Sequence, residues 1–179
     1  MLTADGRADP FIDLAKESIA SLSGAVARDD ARAAAESAAR LVGLGEGSTP
    51  AGDDFLVGFL GGAWAAAANR EPRRVFVVQL GQAVAALVGR TARSSRAYLI
   101  AASVGEVSQR LTELLAAIAR GDEAEAERTA RAAIAVGASS GACGLLGALT
   151  GCAAWDASGM TEMLLEGADT PESLPAIPA

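Results

Sequence analysis

The chain of 179 residues contains no histidine. That absence excludes an imidazole general base, a Ser-His-Asp triad and a His-ligated zinc site within this chain. Aromatic residues are scarce too, at 4% of a composition that is 51% hydrophobic. The core must therefore come from Ala, Leu, Val and Gly, whose small side chains let helices approach closely. Cys143 and Cys152 are too few and too far apart for a Cys-x-x-Cys centre. They read as small buried residues of a reducing compartment. Basic residues are in the minority, with 15 Lys and Arg against 22 Asp and Glu and a net charge of −7. Nucleic acid and an anionic membrane surface are therefore not expected partners. No basic stretch followed by an apolar core opens the chain, so no signal peptide is expected and the expected location is cytoplasmic.

One uncharged run, Ala132 to Trp155, has the length of a bilayer span. The glycines at 137, 141, 144, 147 and 151 interrupt it, and soluble core helices joined by a glycine turn explain it better.

What the chain does have is concentrated in Leu41-Val-Gly-Leu-Gly-Glu-Gly-Ser-Thr-Pro-Ala-Gly-Asp-Asp-Phe55. Alternating Gly43, Gly45 and Gly47 permit tight turns and close approach of backbone to a ligand. Ser48 or Thr49 can cap the following helix, and Pro50 suits its first turn. Amides at such a helix start attract anions, phosphate above all. Asp53 and Asp54 would repel an anion unless a proton or a metal intervenes. The pair therefore suggests a phosphorylated or carboxylated small molecule, with a divalent cation as an optional companion. The bland alternative is an interhelical loop whose aspartates complement the helix dipole.

The pattern along the chain is all-α: a single-domain bundle of about seven or eight helices with Gly-rich loops. Residues 1–9 are expected to be flexible, 10–156 to form the helical domain, and 157–179 to be a tail with a short helix around Thr161 to Leu165. Pro10 opens a helix with Phe11, Leu14, Ile19 and Leu22 on its apolar face. A second, Ala-rich helix starts at Asp29 and Asp30 and runs to about Leu41, and an apolar one spans about Gly52 to Ala68. Arg73 to Val88 reads as a helix, although Val75 to Val78 would tolerate a strand. Val107 to Ala119 is amphipathic, Glu123 to about Val136 is acidic and Ala-rich, and a buried helix ends near Trp155.

Three polar loops, 43–54, 90–96 and 137–141, each precede a helix and carry hydroxyls: Ser48, Thr49, Thr91, Ser94, Ser95, Ser139 and Ser140. If several helix starts share one end of the bundle, their positive dipole ends converge. Arg90, Arg93 and Arg96 add guanidinium groups able to grip carboxylate or phosphate. A shared anion site requires the three loops to meet.

These motifs resemble a known family. Gly43-Leu-Gly-Glu-Gly-Ser-Thr-Pro-Ala-Gly-Asp-Asp-Phe-Leu56 resembles the Gly-x-Gly-x-Gly-x-Thr-Pro-x-Gly-Asp-Asp-Phe-Leu signature of a bacterial family long of unknown function. That family includes the AllH-like subunit of oxamate carbamoyltransferase from anaerobic allantoin breakdown. Thr91-Ala-Arg-Ser-Ser-Arg96 is similar to its second motif and Gly137-Ala-Ser-Ser-Gly141 to its third. The resemblance implies reversible carbamoyl transfer between carbamoyl phosphate and oxamate, with partner subunits. On that picture Gly45, Gly47, Ser48 and Thr49 hold phosphate together with Thr91, Ser95, Ser139 and Ser140. Arg90, Arg93 or Arg96 holds a carboxylate, and Asp53 or Asp54 orients the amide nitrogen. No cofactor is demanded; Mg2+ is a candidate, with Asp53 and Asp54 as its ligands. Expected partners are a small anionic substrate and either further copies of the chain or the other subunits. Three departures stand out: Ala138 replaces the usual histidine, Cys143 lies near the usual aspartate, and Ala92 replaces a threonine.

Two other readings compete. One is a noncatalytic helical anion-binding or scaffold subunit. The other takes Thr49-Pro-Ala-Gly-Asp53 as a ribokinase-like phosphotransfer loop, which would need a βα sheet that the sequence does not show.

Overall fold

The computed structural model describes residues 10–135 and 139–155. Among them are eight α-helices, a 3-10 turn at Val88–Arg90 and no strand. The helices are α1 (Pro10–Ala27), α2 (Ala31–Leu41), α3 (Ala51–Ala67), α4 (Glu71–Ala86), α5 (Arg93–Ser103), α6 (Gln109–Arg120), α7 (Glu123–Ile134) and α8 (Ser140–Ala153). The all-α bundle expected from the sequence is the observed architecture. Residues 1–9, Ala138 and the expected tail helix lie outside the described residues.

Local chemistry sets several of the helix starts. Asp30, Ser108 and Asp122 accept hydrogen bonds from the backbone N–H groups of Ala33, Leu111 and Glu125 at 3.0, 3.4 and 3.1 Å. These are side-chain caps of the kind that Ser and Asp favour. The stretch that tolerates a strand, Val75 to Val78, lies inside α4. Phe76, Val77, Leu80 and Val84 are buried while Val75 and Val78 are exposed. Burial of adjacent residues followed by positions three and four further on has the helical period and not the strand period. On α1, Ile19 and Leu22 join the core but Leu14 is 40% exposed, so the apolar stripe is narrower than its sequence pattern. α6 begins at Gln109, two residues later than expected, because Ser108 caps it.

The centre of the molecule is the pair α3 and α8, packed backbone against backbone. A Cβ on Gly58 would lie 1.9 Å from the Gly144 carbonyl oxygen, and one on Gly62 would lie 2.2 Å from that of Ala148. Reciprocally, a Cβ on Gly147 would lie 2.0 Å from the Phe55 oxygen, and one on Gly151 2.2 Å from that of Phe59. Glycines four residues apart on both helices open a groove into which the other backbone fits, as in small-xxx-small helix pairs. The matched positions rise together along both helices, so α3 and α8 run parallel. Their N-termini therefore share one end of the bundle. Phe59, Leu56 and Leu60 of α3 fill the surrounding core with Leu22, Leu41, Leu80 and Leu99 from α1, α2, α4 and α5. The uncharged run 132–155 is divided here, with α8 only 14 residues long. No described helix is long and apolar enough to cross a membrane.

Candidate functional site

The glycine-rich loop between α2 and α3 is anchored from below by Asp53. This residue is 1% exposed. Its Oδ1 accepts the Gly43 N–H at 2.7 Å, and its Oδ2 accepts the Thr91 hydroxyl. Thr91 Oγ1 in turn accepts the Ala92 N–H at 2.6 Å, where α5 begins. A second tie joins the same two loops, because the Ser94 and Ser95 hydroxyls both donate to the Ser48 carbonyl. Gly43 has φ +76°, and a Cβ there would lie 2.9 Å from the Arg90 carbonyl oxygen. Both the conformation and the space call for glycine.

The third loop arrives through Ser140 at the start of α8, whose hydroxyl shares a 3.0 Å hydrogen bond with Thr49 Oγ1. The loops 43–54, 90–96 and the end of 137–141 thus meet, and the parallel pairing of α3 with α8 is what brings the third to the first. Ser48 and Thr49 do not cap α3, contrary to the sequence expectation. Its N-cap is Pro50, with no side-chain hydrogen bond, and α5 and α8 also begin without a side-chain cap. The hydroxyls are engaged across loops instead of along their own helix.

Asp54 stands beside Thr49 and Ser140 on the wall of a cleft of about 710 Å3. The cleft is lined by Thr49, Asp54 and Val57 of the α3 region, Tyr98 of α5, and Ser108, Gln109, Arg110, Leu111 and Glu113 around the start of α6. Ala133 of α7 and Ser140, Gly141 and Gly144 of α8 complete it. Asp54 Oδ2 is shielded from solvent and meets no hydrogen-bond partner among the described residues. Burial raises the proton affinity of this carboxyl, and the neighbouring Asp53 charge adds to the effect. The Ser140 and Thr49 hydroxyls lean towards it and pull in the other direction, without giving Oδ2 a well-formed hydrogen bond. Such a group suits a general base or acid, or an acceptor for a ligand N–H.

The residues singled out from sequence separate into two sets. Thr49, Asp54 and Ser140 line the cleft. Asp53, Thr91, Ser48 and Ser95 form the loop ties, and Gly45 and Gly47 shape the loop at φ +120° and +90°. Ser139 is the exposed N-cap residue of α8. Arg90, Arg93 and Arg96 are exposed and do not line the cleft. Arg96 instead donates to the Thr91 and Gly89 carbonyls at 3.2 and 3.4 Å, closing the turn before α5. Asp53 and Asp54 face different surroundings, and no group of three or more His, Cys, Asp or Glu able to hold a metal occurs among the described residues. The sequence reading missed the α6 side of the cleft. The amphipathic helix was read from Val107 to Ala119, but nothing local places its opening opposite Asp54.

Fold and site together define a helical protein in which the starts of α3, α6 and α8 border a cleft whose wall holds a carboxylate with one unpartnered oxygen. A protein-family model described as oxamate carbamoyltransferase subunit AllH matches residues 41–152, more than half of the chain. The chain belongs to this family. No curated protein and no solved structure matches it.

Proposed function

We propose that the chain is a subunit of an oxamate carbamoyltransferase, and that the cleft beside Asp54 is where its small anionic substrates bind. Membership in the family supports the reaction class. The observation that carries the site is Asp54, which lines the cleft and whose buried Oδ2 has no hydrogen-bond partner, beside helix starts that lack side-chain caps. The first N–H groups of α8, which find no acceptor among the described residues, favour a phosphate or carboxylate there, with Thr49 and Ser140 as further donors. The cleft has room for donor and acceptor side by side, as carbamoyl transfer requires.

In the chemical step the oxamate amide nitrogen attacks the carbamoyl carbon of carbamoyl phosphate. The carbon–oxygen bond to phosphate breaks and oxalurate and phosphate leave. Asp54 as carboxylate takes the proton from the attacking nitrogen, and in reverse the protonated carboxyl returns it. A carboxyl whose proton affinity is raised is the better base for this task. Asp53 keeps the loops in register and does not touch the substrate. Phosphate displacement needs positioning and charge stabilisation more than a covalent nucleophile, so a chain without histidine can take part. Exposed Ile100 on α5 and Val104 just after it, 50% and 65% accessible, favour contact with a partner chain.

The test is oxamate-dependent phosphate release from carbamoyl phosphate, measured on the purified chain with and without its partner subunits and with and without Mg2+. Asp54→Asn is expected to lower turnover by about a hundredfold or more while leaving inorganic phosphate binding intact. Wild-type turnover in that variant would remove Asp54 from the chemistry. Absence of turnover and of phosphate binding in every combination would favour the scaffold reading. Tight Mg-ATP binding would favour the kinase-like one, although the described residues form no sheet of the kind those kinases use.

A further inference from the structure

The arginines expected to hold a carboxylate, Arg90, Arg93 and Arg96, lie away from the cleft, whereas Arg110 lines it. Arg110 is the second residue of α6, whose first turn carries no acidic side chain. A cation there opposes the helix dipole, so the position is unfavourable for the stability of α6 alone. Three helical arginines are neutralised locally: Arg32 bonds Glu36, Arg128 bonds Glu125 and Arg131 bonds Glu127, all three or four residues apart. Others, Arg93 and Arg120 among them, are not, and what sets Arg110 apart is its place in the cleft wall. Arg110 has Glu113 at that spacing and is not paired with it. The Glu113 carboxylate instead accepts from Gln109 Nε2 at 2.8 Å. Among the described residues Arg110 has no hydrogen-bond or ion-pair partner. A guanidinium without a partner, placed against the dipole of its own helix, thus shares a cleft with a carboxyl one of whose oxygens has no hydrogen-bond donor.

We infer that Arg110 holds the carboxylate of the carbamoyl acceptor, while Asp54 receives the N–H group at the other end of the same molecule. This assignment rests on the proposed transferase reading and adds the residue that selects the acceptor. The ligand class is a short acid with a carboxylate next to an amide, which presents an anion for the guanidinium and a donor for the carboxyl. The planar fork of arginine fits a carboxylate with two parallel hydrogen bonds, which a point charge does not reproduce.

The experiment is a calorimetric titration of the full chain with oxamate and with oxamide, its neutral analogue in which the carboxylate is a second amide. Inorganic phosphate serves as a reference ligand. Wild type is expected to prefer oxamate over oxamide by about tenfold or more. Arg110→Gln is expected to lose that preference, with oxamate binding weakened by about the same factor and phosphate binding unchanged. Arg110→Lys is expected to fall between the two. Because Arg110 is exposed and opposes the helix dipole, Arg110→Gln should melt at or above the wild-type temperature, which separates lost binding from lost folding. Oxamate binding in Arg110→Gln equal to wild type overturns the assignment and leaves the transferase reading standing. Failure of wild type to bind oxamate, both alone and with its partner subunits, overturns both.

Discussion

Asp53 and Asp54 are neighbours in sequence with opposite structural circumstances, and replacing Asp53 tests whether that difference is understood. Asp53 is buried and both of its oxygens are used, by the Gly43 N–H and the Thr91 hydroxyl. In Asp53→Asn the amide oxygen can still accept from Gly43, and the new NH2 group can donate to Thr91 Oγ1. The Thr91 hydroxyl proton is then left without its acceptor, and the hydrogen bonds to a charged group are gone. Such a loss costs about 2 kcal/mol, within the range for buried groups left unpaired and for bonds to charged acceptors. In a domain of this length that lowers the melting temperature by about 4–8 °C. Asp53→Ala strands both donors and leaves a cavity, so about 3–5 kcal/mol is expected. Thermal melts followed by circular dichroism at 222 nm, with a urea titration for the free energy, measure both. Thr91→Val removes the same hydroxyl, and its effect should not add to that of Asp53→Asn, because the two act on one hydrogen bond. A melting temperature of Asp53→Asn equal to wild type, together with lost ligand binding, would refute the reasoning and make Asp53 a substrate contact.

Other consequences can be checked in the same preparations. Burial and the Asp53 charge raise the Asp54 pKa, so the folded state holds that proton more tightly than the unfolded chain does. Stability from this residue is then greatest at acid pH and is lost as pH rises through the folded-state pKa. The difference in melting temperature between Asp54→Asn and wild type should accordingly move in favour of the variant as pH is raised above the usual carboxylate range; a flat difference from pH 4 to 8 would contradict it. Gly58→Ala forces a methyl against the Gly144 carbonyl, which should cost about 1–3 kcal/mol despite alanine's better helix propensity. Gly89→Ala, with nothing within 4 Å of its Cβ, should stay within about 0.5 kcal/mol of wild type, and equal melting of the two variants would dismiss the backbone contact. Burial pushes the Cys152 thiol up to about 11 and also raises Cys143. Both should react slowly with a disulfide reagent at pH 8 until guanidinium unfolds the chain, and rapid labelling of the native protein would count against that burial.

The fold was legible because its signals are local. Asp30 and Asp122 announce helix starts through their own side chains, whereas the Ser108 cap was missed, and only the burial of 76, 77, 80 and 84 resolves a segment that β-branched residues made ambiguous. The glycine-rich segment marked the loop that carries Asp54 for a similar reason, since glycine, hydroxyl and proline are the residues that chain reversal before a helix requires. The roles inside the loop were not legible. Ser48 and Thr49 have the chemistry of caps, yet the Ser48 carbonyl receives hydroxyls from α5, and the Thr49 hydroxyl meets Ser140, 91 positions away. Three arginines in one motif suggested anion binding, but Arg96 spends its guanidinium on the carbonyls of its own turn. Arg110, in an unremarkable amphipathic helix, reaches the cleft only through tertiary packing.

The parallel pairing of α3 with α8 explains why Thr49 meets Ser140. Sequence-adjacent helices joined by short turns run antiparallel, which would put the starts of consecutive helices at opposite ends. Here α4 to α7 lie between the two partners in the chain, and the intervening length lets α8 return beside α3 in the same direction. Parallel helices bring two positive dipole ends together, a mild mutual repulsion that an apolar interface alone does not remove. The glycines at 58, 62, 147 and 151 let the backbones close to a separation at which dispersion and weak Cα–H contacts offset it. The positive ends that result have no capping side chain on either helix. Aspartates in the first turn of α3 answer part of that field, and Asp53 is consumed in doing so by the Gly43 and Thr91 donors. Asp54 keeps one oxygen without a hydrogen-bond partner, so the glycine pattern in the core and the unpaired carboxyl oxygen beside the cleft are two results of the same helix arrangement.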